Sequence, residues 1–490
     1  MKAKTFIFLL VFCVVVWIIF TFKITEVPPG INGDEAAIGY NATLISDTLK
    51  DENGRTLPLF ISTLDGKDWK QSVTMYTTAL AFRVFGPSYE LFRSVSVVFV
   101  LVSSVLLFFL LQEVWGFKVA VVGLLLFITT PIIMIQSHLA LENIAPVPFV
   151  IAWLLMMAKY YKTGKNKFLI FAGIFLGSSL FAYQAMRLIA PIFAGLSLMY
   201  VFYLYTEQKK KTLKPFFYFI LGMVPFIFFL VLAWKIYPGA LAAYNRPSLN
   251  VPYQALLLPY LSSFDLSFLF VTGDITAYHS TGKHGIYLLA TLPLFLLGCY
   301  KSFQTKNPFL IFVAATFFLA PLFYGLVGSV HRGSRLLPQI PAYIVLASFG
   351  VKVLMGLKGK LLKFGIGGLL VFLVVINYYD FINDYWFAYP GRAKNYFPST
   401  LHLASKNLSE QAKILNKSPI MQGDIYRREK MAAKFFERIY FSPAVEIWDL
   451  GVPTINEGIV LVRSSDAQKL IDHGFRQLKS ETPDYSLFVK

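Results

Sequence analysis

Just after the first long apolar run, Thr5–Phe22, the chain reads Pro28-Pro-Gly-Ile-Asn-Gly-Asp34-Glu35-Ala-Ala-Ile-Gly-Tyr40-Asn41. Two Pro and two Gly bar a helix before Asp34, and the residues from Glu35 onward have helical character. Asp34 therefore falls near a helix N-terminus, whose free N–H groups favour a carboxylate over its neutral acid. A carboxylate so placed can take a proton from a hydroxyl, which is general-base chemistry. An Asp-Glu pair also serves as an ordinary helix cap in a polar loop, and its spacing alone does not separate the two roles.

Cations recur at the ends of other apolar runs. Arg187 follows Ala182-Tyr183-Gln184-Ala185-Met186, Lys283 and His284 precede one run, and His331-Arg332-Gly333-Ser334-Arg335 precedes another. Arg332 and Arg335 are three apart, one turn of a helix start, so both can reach one anion. Such a set suits a lipid phosphate gripped by cations, with a carboxylate acting on a nucleophile beside it. Arg187 reads equally as a snorkelling side chain, and Lys283 or the arginine pair as contacts to lipid headgroups. Glu142, in His138-Leu-Ala-Leu-Glu142-Asn143, reads as a helix cap or a pocket group; Tyr40, Tyr183 and His331 are further pocket candidates. His279 and His284, five apart, could hold a divalent metal with Asp274 or Glu35, but that spacing is not diagnostic and metal use stays open. No other cofactor is implied. There is no phosphate-cradling Gly loop, nucleophile elbow or His-Glu-x-x-His helix. An enzyme here would need its donor delivered already activated.

The elements that must position these residues are membrane helices. Of 490 residues 56% are apolar and only 15% charged, too greasy for a soluble protein. The net charge of +18 does not signal nucleic acid, because the lysines cluster in short loops between apolar runs. Both cysteines, Cys13 and Cys299, lie inside such runs and imply no disulfide. Runs near the length of about 20 residues that crosses a bilayer predict eleven spans. They are Thr5–Phe22, Phe92–Leu111, Phe117–Ile135, Asn143–Met157, Phe168–Tyr183, Leu188–Tyr205, Phe216–Tyr237, Gly285–Tyr300, Phe309–Leu326, Leu336–Leu354 and Leu362–Tyr379. Alternate loops collect lysines, including Lys2, Lys4, Lys118, Lys209, Lys210, Lys211 and Lys363, with only Glu113 and Glu207 against them. The positive-inside rule then puts the N-terminus in the cytoplasm and the C-terminus outside.

On that topology residues 1–380 form a membrane region and 381–490 a small extracytoplasmic α/β domain. Two long outer loops, 23–91 and 238–284, carry half of the candidate residues, and all six histidines lie outside the membrane core. The first loop predicts helices at Glu35–Leu49 and Ser72–Phe85, the second ending at Gly86-Pro87-Ser88. The C-terminal region predicts helices at Thr400–Lys417 and Arg427–Phe436, and strands at Ile439–Phe441, Gly458–Val462 and Tyr485–Val489.

This order of parts resembles the integral-membrane GT-C glycosyltransferases. The resemblance rests on Asp34-Glu35 soon after the first span, the surface helices, the Tyr183-Gln-Ala-Met-Arg-Leu turn, the late His331-Arg-x-x-Arg335 and the outer C-terminal domain. It is nearest the bacterial relatives of the protein O-mannosyltransferases and the lipid A aminoarabinose transferase. It implies transfer of a sugar from a polyprenyl monophosphate to a protein, lipid or glycan hydroxyl on the extracytoplasmic face of the cell membrane. Carried over, Asp34 is the base, Glu35 shapes the acceptor pocket or holds Asp34, and Arg332, Arg335, Lys283 and Arg187 hold the departing phosphate. No Trp-Trp-Asp motif stands in the C-terminal region, which argues against an N-linked oligosaccharyltransferase. The competing expectation is a transporter or flippase of a lipid-linked saccharide, which should show charged or broken helices near the midplane and two related halves. Here the polar residues crowd one face and no half-repeat is visible.

Overall fold

The structure is a computed structural model; it describes residues 3–66, 68–207, 214–241, 253–328, 330–397, 400–442, 444–448, 457–479 and 482–490. Lys2, Lys209, Lys210 and Lys211 of the charge pattern lie outside the described residues. Helix α1 (Ala3–Thr21) leads to α2 (Gly33–Thr48), a hairpin of β1 (Phe60–Thr63) and β2 (Asp68–Gln71), and α3 (Ser72–Phe85). The bundle continues with α4 (Tyr89–Trp115), α5 (Phe117–Ile128), α6 (Pro131–Ser137), α7 (Pro146–Thr163), α8 (Lys167–Ser179), α9 (Met186–Glu207) and α10 (Lys214–Ile236). After α11 (Tyr253–Ser262) come α12 (Leu292–Thr305), α13 (Pro308–Leu319), α14 (Ile340–Met355) and α15 (Lys360–Asn383), which runs through a π-turn into α16 (Tyr389–Ala393).

Among the described residues eight helices are long and apolar enough to cross a membrane, and nine if α5 and α6 count as one span bent by 62°. The bend falls where Pro131 opens α6, which removes a backbone donor and ends the preceding helix. The count therefore differs from the eleven predicted. The two runs that fall short are Phe168–Tyr183, which yields only the 13-residue α8, and Gly285–Tyr300, which yields the 14-residue α12. Both short helices dock on a full-length neighbour through glycine. A Cβ on Gly173 of α8 would lie 2.3 Å from the Phe219 carbonyl oxygen of α10, and one on Gly222 would lie 2.2 Å from that of Ile170. Gly298 of α12 and Gly350 of α14 stand in the same relation, 1.9 Å from Leu346 O and 2.0 Å from Leu294 O. With no side chain between them the backbones approach directly, which suits packing where lipid supplies no hydrophobic drive between helices.

The helix reaches beyond residue 380, and the final domain opens with α17 (Leu401–Leu415). Its five strands are β3 (Pro419–Gln422), β4 (Glu446–Trp448), β5 (Ile459–Arg463), β6 (Arg476–Leu478) and β7 (Tyr485–Val489), in the order β4-β3-β5-β7-β6. The β3 pairings with β4 and β5 are parallel; the β7 pairings with β5 and β6 are antiparallel. Helices α18 (Gly423–Arg428), α19 (Lys430–Tyr440) and α20 (Ala467–Asp472) complete it. The stretch Ile439–Phe441, expected as a strand, is instead the end of α19. Met431, Ala432, Phe435, Phe436, Ile439 and Tyr440 recur at helical spacing, and the first four are buried along one face.

Strand alternation divides this domain's core. Val460 and Val462 of β5 pack with Leu470 and Phe475, whereas Ile459 and Leu461 join Leu408, Phe435 and Phe436. The second cluster does not stop at the domain. It continues into Ile31, Ile38, Ala42 and Ile45 of the first loop and α2, and Met75 and Phe82 of α3. The helix that begins at Asp34 thus has its apolar side built into the C-terminal domain. The fit is close: a Cβ on Gly39 would lie 2.6 Å from the Phe435 ring, and Phe435 stacks edge-on against Phe92 at 4.9 Å.

Candidate active site

Asn32 caps α2. Its side-chain oxygen accepts from Glu35 N at 2.9 Å, and its own N–H donates to Glu35 Oε2 at 3.4 Å, a reciprocal capping box. Glu35 is turned inward. Its Oε1 accepts from Ala140 N at 3.0 Å and lies 3.4 Å from Arg93 Nε, with both side chains wholly buried. Burial pushes the Glu35 carboxyl above its usual range, and the Arg93 charge and the two backbone donors oppose that rise. Arg93 also donates to the carbonyls of Ile24, Pro28 and Gly30, at 3.0, 3.1 and 2.5 Å. The adjacent acids therefore part company. Glu35 fastens the loop to the bundle, while Asp34 keeps a side chain that is 54% exposed.

Asp34 is held by a residue the sequence reading did not single out. Lys70 Nζ, on β2, lies 2.8 Å from Asp34 Oδ1 and 2.5 Å from Asp68 Oδ2, and its side chain is 7% exposed. Burial opposes the lysine's charge, but Asp34, then Asp68 and Glu142, outweigh it and hold the ammonium above its ordinary pKa. The hairpin positions it: Lys70 pairs with Ile61 across the ladder, and alternation puts Asp68 and Lys70 on one face of β2. The next residue extends the network. Gln71 N donates to the buried Glu142 carboxylate, and Gln71 Oε1 accepts from Arg187 Nη2 at 2.8 Å. Gln184 Nε2 donates to Trp69 O at 2.9 Å.

Arg187 also donates through Nη1 to Ala240 O at 2.6 Å, but its Nε is buried with no acceptor among the described residues. Arg335 Nη1 is likewise buried with no hydrogen-bond partner among the described residues. Tyr183, whose hydroxyl burial pushes above its usual pKa, has Arg335, Ser334, Glu142 and Asp274 as electrostatic neighbours. Asp274 is buried, accepting from Gly333 N at 2.6 Å and from Thr276 N and Oγ1, both at 2.8 Å. Arg332 Nη1 lies 4.0 Å from it and 3.5 Å from Thr276 Oγ1. His279 Nδ1 is 2.7 Å from Gln136 Nε2, and Gln136 Oε1 accepts from Asn143 Nδ2 at 3.1 Å. Burial lowers the His279 pKa; Asp274, Arg332 and Asp34 are its charged neighbours. Hydrogen bonds and adjacent residues thus tie Asp34, Glu142, Arg187 and His279 together, with Tyr183, Arg332 and Arg335 as electrostatic neighbours.

Four sequence candidates lie elsewhere. Lys283 is 62% exposed and 3.8 Å from Asp384. His284 bonds Thr281 Oγ1 at 2.9 Å and Asp380 at 3.0 Å, at the foot of α15. His331 pairs with Asp265 at 3.0 Å over the Phe268 ring. Tyr40 lies under Lys434 of the C-terminal domain, at 5.0 Å. His279 and His284 do not share a site, and among the described residues no group of three or more His, Cys, Asp or Glu could hold a metal. Lys70 and Asp68 had a faint signal, the run Asp68-Trp69-Lys70-Gln71 just before a helix; Gln136 and Asn143 had none.

Chemically, these residues offer one accessible carboxylate fixed by a lysine and two guanidinium groups with buried N–H donors that meet no acceptor among the described residues. Leaving such donors unpaired is costly, so they are groups an anion would satisfy.

Residues 72–234 match the family described as dolichyl-phosphate-mannose-protein mannosyltransferase. The match starts two residues beyond Lys70 and so excludes Asp34. Among curated proteins none matches the sequence. Among solved structures, ArnT from Cupriavidus metallidurans, bound to undecaprenyl phosphate or in the apo state, is similar over 100% of this chain and 98% of its own, with a TM-score of 0.56 and 10% identity. The archaeal oligosaccharyltransferase AglB from Archaeoglobus fulgidus, in complex with an inhibitory peptide and a dolichol-phosphate, is similar over 90% of this chain and 64% of its own, with a TM-score of 0.50 and 12% identity. The chain is thus a multi-pass membrane protein with an ArnT-like fold, and its residues 72–234 match the dolichyl-phosphate-mannose-protein mannosyltransferase family.

Proposed function

We propose that this protein is a glycosyltransferase that moves a sugar from a polyprenyl monophosphate to an acceptor hydroxyl on the extracytoplasmic face. The observation that carries the reading is a half-exposed Asp34 on the same side of the bundle as buried N–H donors of Arg187 and Arg335 that have no acceptor among the described residues. The family match and the lipid phosphates named for ArnT and AglB support the donor class. In the reaction, Asp34 takes the acceptor hydroxyl proton as that oxygen bonds to the anomeric carbon. The bond from that carbon to the phosphate oxygen breaks, and the phosphate leaves with the electron pair. Its growing charge is met by Arg335 and Arg187, with Arg332 at the more exposed edge. A phosphate leaves without a proton donor, so one carboxylate suffices and the two-acid arrangement of soluble glycosidases is not required. Lys70 keeps Asp34 in place; Glu35 and Arg93 act on the backbone beneath it. Lys283, solvent-exposed beside Asp384, has no part in this scheme.

The test uses membranes with wild-type or Asp34→Asn protein and a panel of radiolabelled polyprenyl-phosphate sugars. Label should leave the lipid and appear in a protein, lipid or glycan fraction with wild type alone. Full activity of Asp34→Asn, with normal expression, would remove Asp34 as the base. Protein-dependent passage of the lipid-linked sugar across the bilayer, without transfer, would establish the flippase reading instead.

A further inference from the structure

The C-terminal domain holds a cleft of about 700 Å³, within the range of small-ligand sites. It lies where the C-terminal ends of α17 and α19 meet the start of β3 and the edge strand β4. Ala412, Ile439, Tyr440 and Phe441 supply its apolar and aromatic lining; Ser409, Asn416 and Ser442 supply hydroxyl and amide groups. Three cations line it, Lys413, Lys417 and Arg438, against one acid, Glu446. Lys417 donates to the Lys490 carbonyl and Arg438 pairs with Asp47 of α2, whereas Lys413 has no ion-pair partner among the described residues. Cations at helix ends also answer the helix dipole, so charge alone would carry little. Here it coincides with volume, rings and neutral hydrogen-bonding groups, the mixture that a charged sugar chain engages.

The placement gives the cleft a purpose. Arg438 touches Asp47 at the far end of the helix that starts at Asp34. Thirteen residues at about 1.5 Å each separate the two ends by about 20 Å. The packing of α2 on α19 through Gly39 and Phe435 makes that separation a fixed length.

We propose that this cleft binds an anionic segment of a glycan acceptor, holding the polymer about 20 Å from Asp34. The proposal rests on the transferase reading for its purpose, but binding itself can be measured without transfer. Full-length Asp34→Asn protein in nanodiscs would be titrated with a hexameric oligogalacturonate, with maltohexaose, and with inorganic phosphate. Hydrogen exchange at 409–419 and 438–442 would be read alongside. The expected result is saturable oligogalacturonate binding that slows exchange in both segments and weakens roughly tenfold in Lys413→Glu. Phosphate at equal charge concentration should compete poorly. Ser442→Trp, at an exposed rim position, should abolish binding without unfolding the domain.

Three outcomes would overturn the proposal. They are no binding by the folded protein, equal binding of maltohexaose and its insensitivity to Lys413→Glu, or protection confined to other segments. None of them bears on whether Asp34 catalyses transfer. Conversely, oligogalacturonate binding by a protein that moves no sugar would leave the cleft standing and sink the transferase reading alone.

Discussion

Glu35 and Asp34 are neighbours in sequence with different work, and substituting Glu35 tests that division. Glu35→Ala removes the only carboxylate that pairs with Arg93 among the described residues, and the Arg93 side chain is wholly buried. Breaking a buried ion pair by deleting one partner costs about 3–5 kcal/mol. The capping box at Asn32 is lost as well, adding about 1 kcal/mol. Glu35→Gln retains an oxygen that can accept from Ala140 N or Asn32 N and gives up the charge, so it should cost roughly 1–3 kcal/mol. The assay is the thermal unfolding midpoint of full-length protein in detergent, with sugar transfer measured on the same samples well below it. Midpoints should fall in the order wild type, Glu35→Gln, Glu35→Ala, and Glu35→Gln should keep most of its turnover because Asp34 and Lys70 are untouched. Glu35→Ala combined with Arg93→Ala should cost less than the sum of the single changes by at least about 1 kcal/mol. A Glu35→Ala protein with the wild-type midpoint and no activity would refute the structural role and return Glu35 to the chemistry.

Arg335→Met should raise the KM for donor lipid or lower turnover by roughly 10- to 1,000-fold, while Lys283→Met stays within about twofold in the same steady-state assay; equal losses would contradict the division between them. Gly222→Ala, whose new Cβ would meet the Ile170 carbonyl oxygen at 2.2 Å, should cost about 1–3 kcal/mol and shorten the half-life at elevated temperature. Gly195→Ala, with nothing within 4 Å, is the control and should leave that half-life unchanged or longer. His402 is buried against Tyr89 and Phe436, and burial pushes its pKa down to about 3. Its unfolded value is near 6.5, so only the unfolded state binds the proton between these two values. The stability carried by neutral His402 is complete above about pH 6.5 and falls by at most about 1.4 kcal/mol per unit below it. His402→Gln should flatten the unfolding midpoint against pH in that window, and an unchanged slope would assign the acid sensitivity elsewhere.

The apolar runs carried most of the membrane architecture in plain view, and α3 lies where its amphipathic pattern puts it. The two short helices were harder to judge, because apolar composition reads the same whether a run stays helical for 13 residues or 20. Asp34 stood out through Pro, Gly and an acidic neighbour. Its partner Lys70 did not, since the faint pattern around a lysine in a polar loop does not say that a hairpin will fold it against Asp34 at the start of α2. Tyr40 looked close to Asp34 in sequence, yet six residues is not a whole number of helical turns, and it meets Lys434 instead. Arg332 and Arg335 were visible as a spaced pair. That only Arg335 has a buried, unfilled N–H group is a property of packing that spacing does not encode.

The short α8 has a consequence for the lipid around it. Thirteen helical residues extend only about 20 Å, against about 30 Å of hydrocarbon. Tyr183, Gln184 and Arg187 follow at its end, so these polar groups enter about 10 Å short of where a full-length span would deliver them. A bilayer can adapt to such a mismatch by thinning locally. On the donor class proposed above, thinning of the leaflet beside α8 would bring a phosphate on a long isoprenoid to the depth of Arg187 by lateral diffusion.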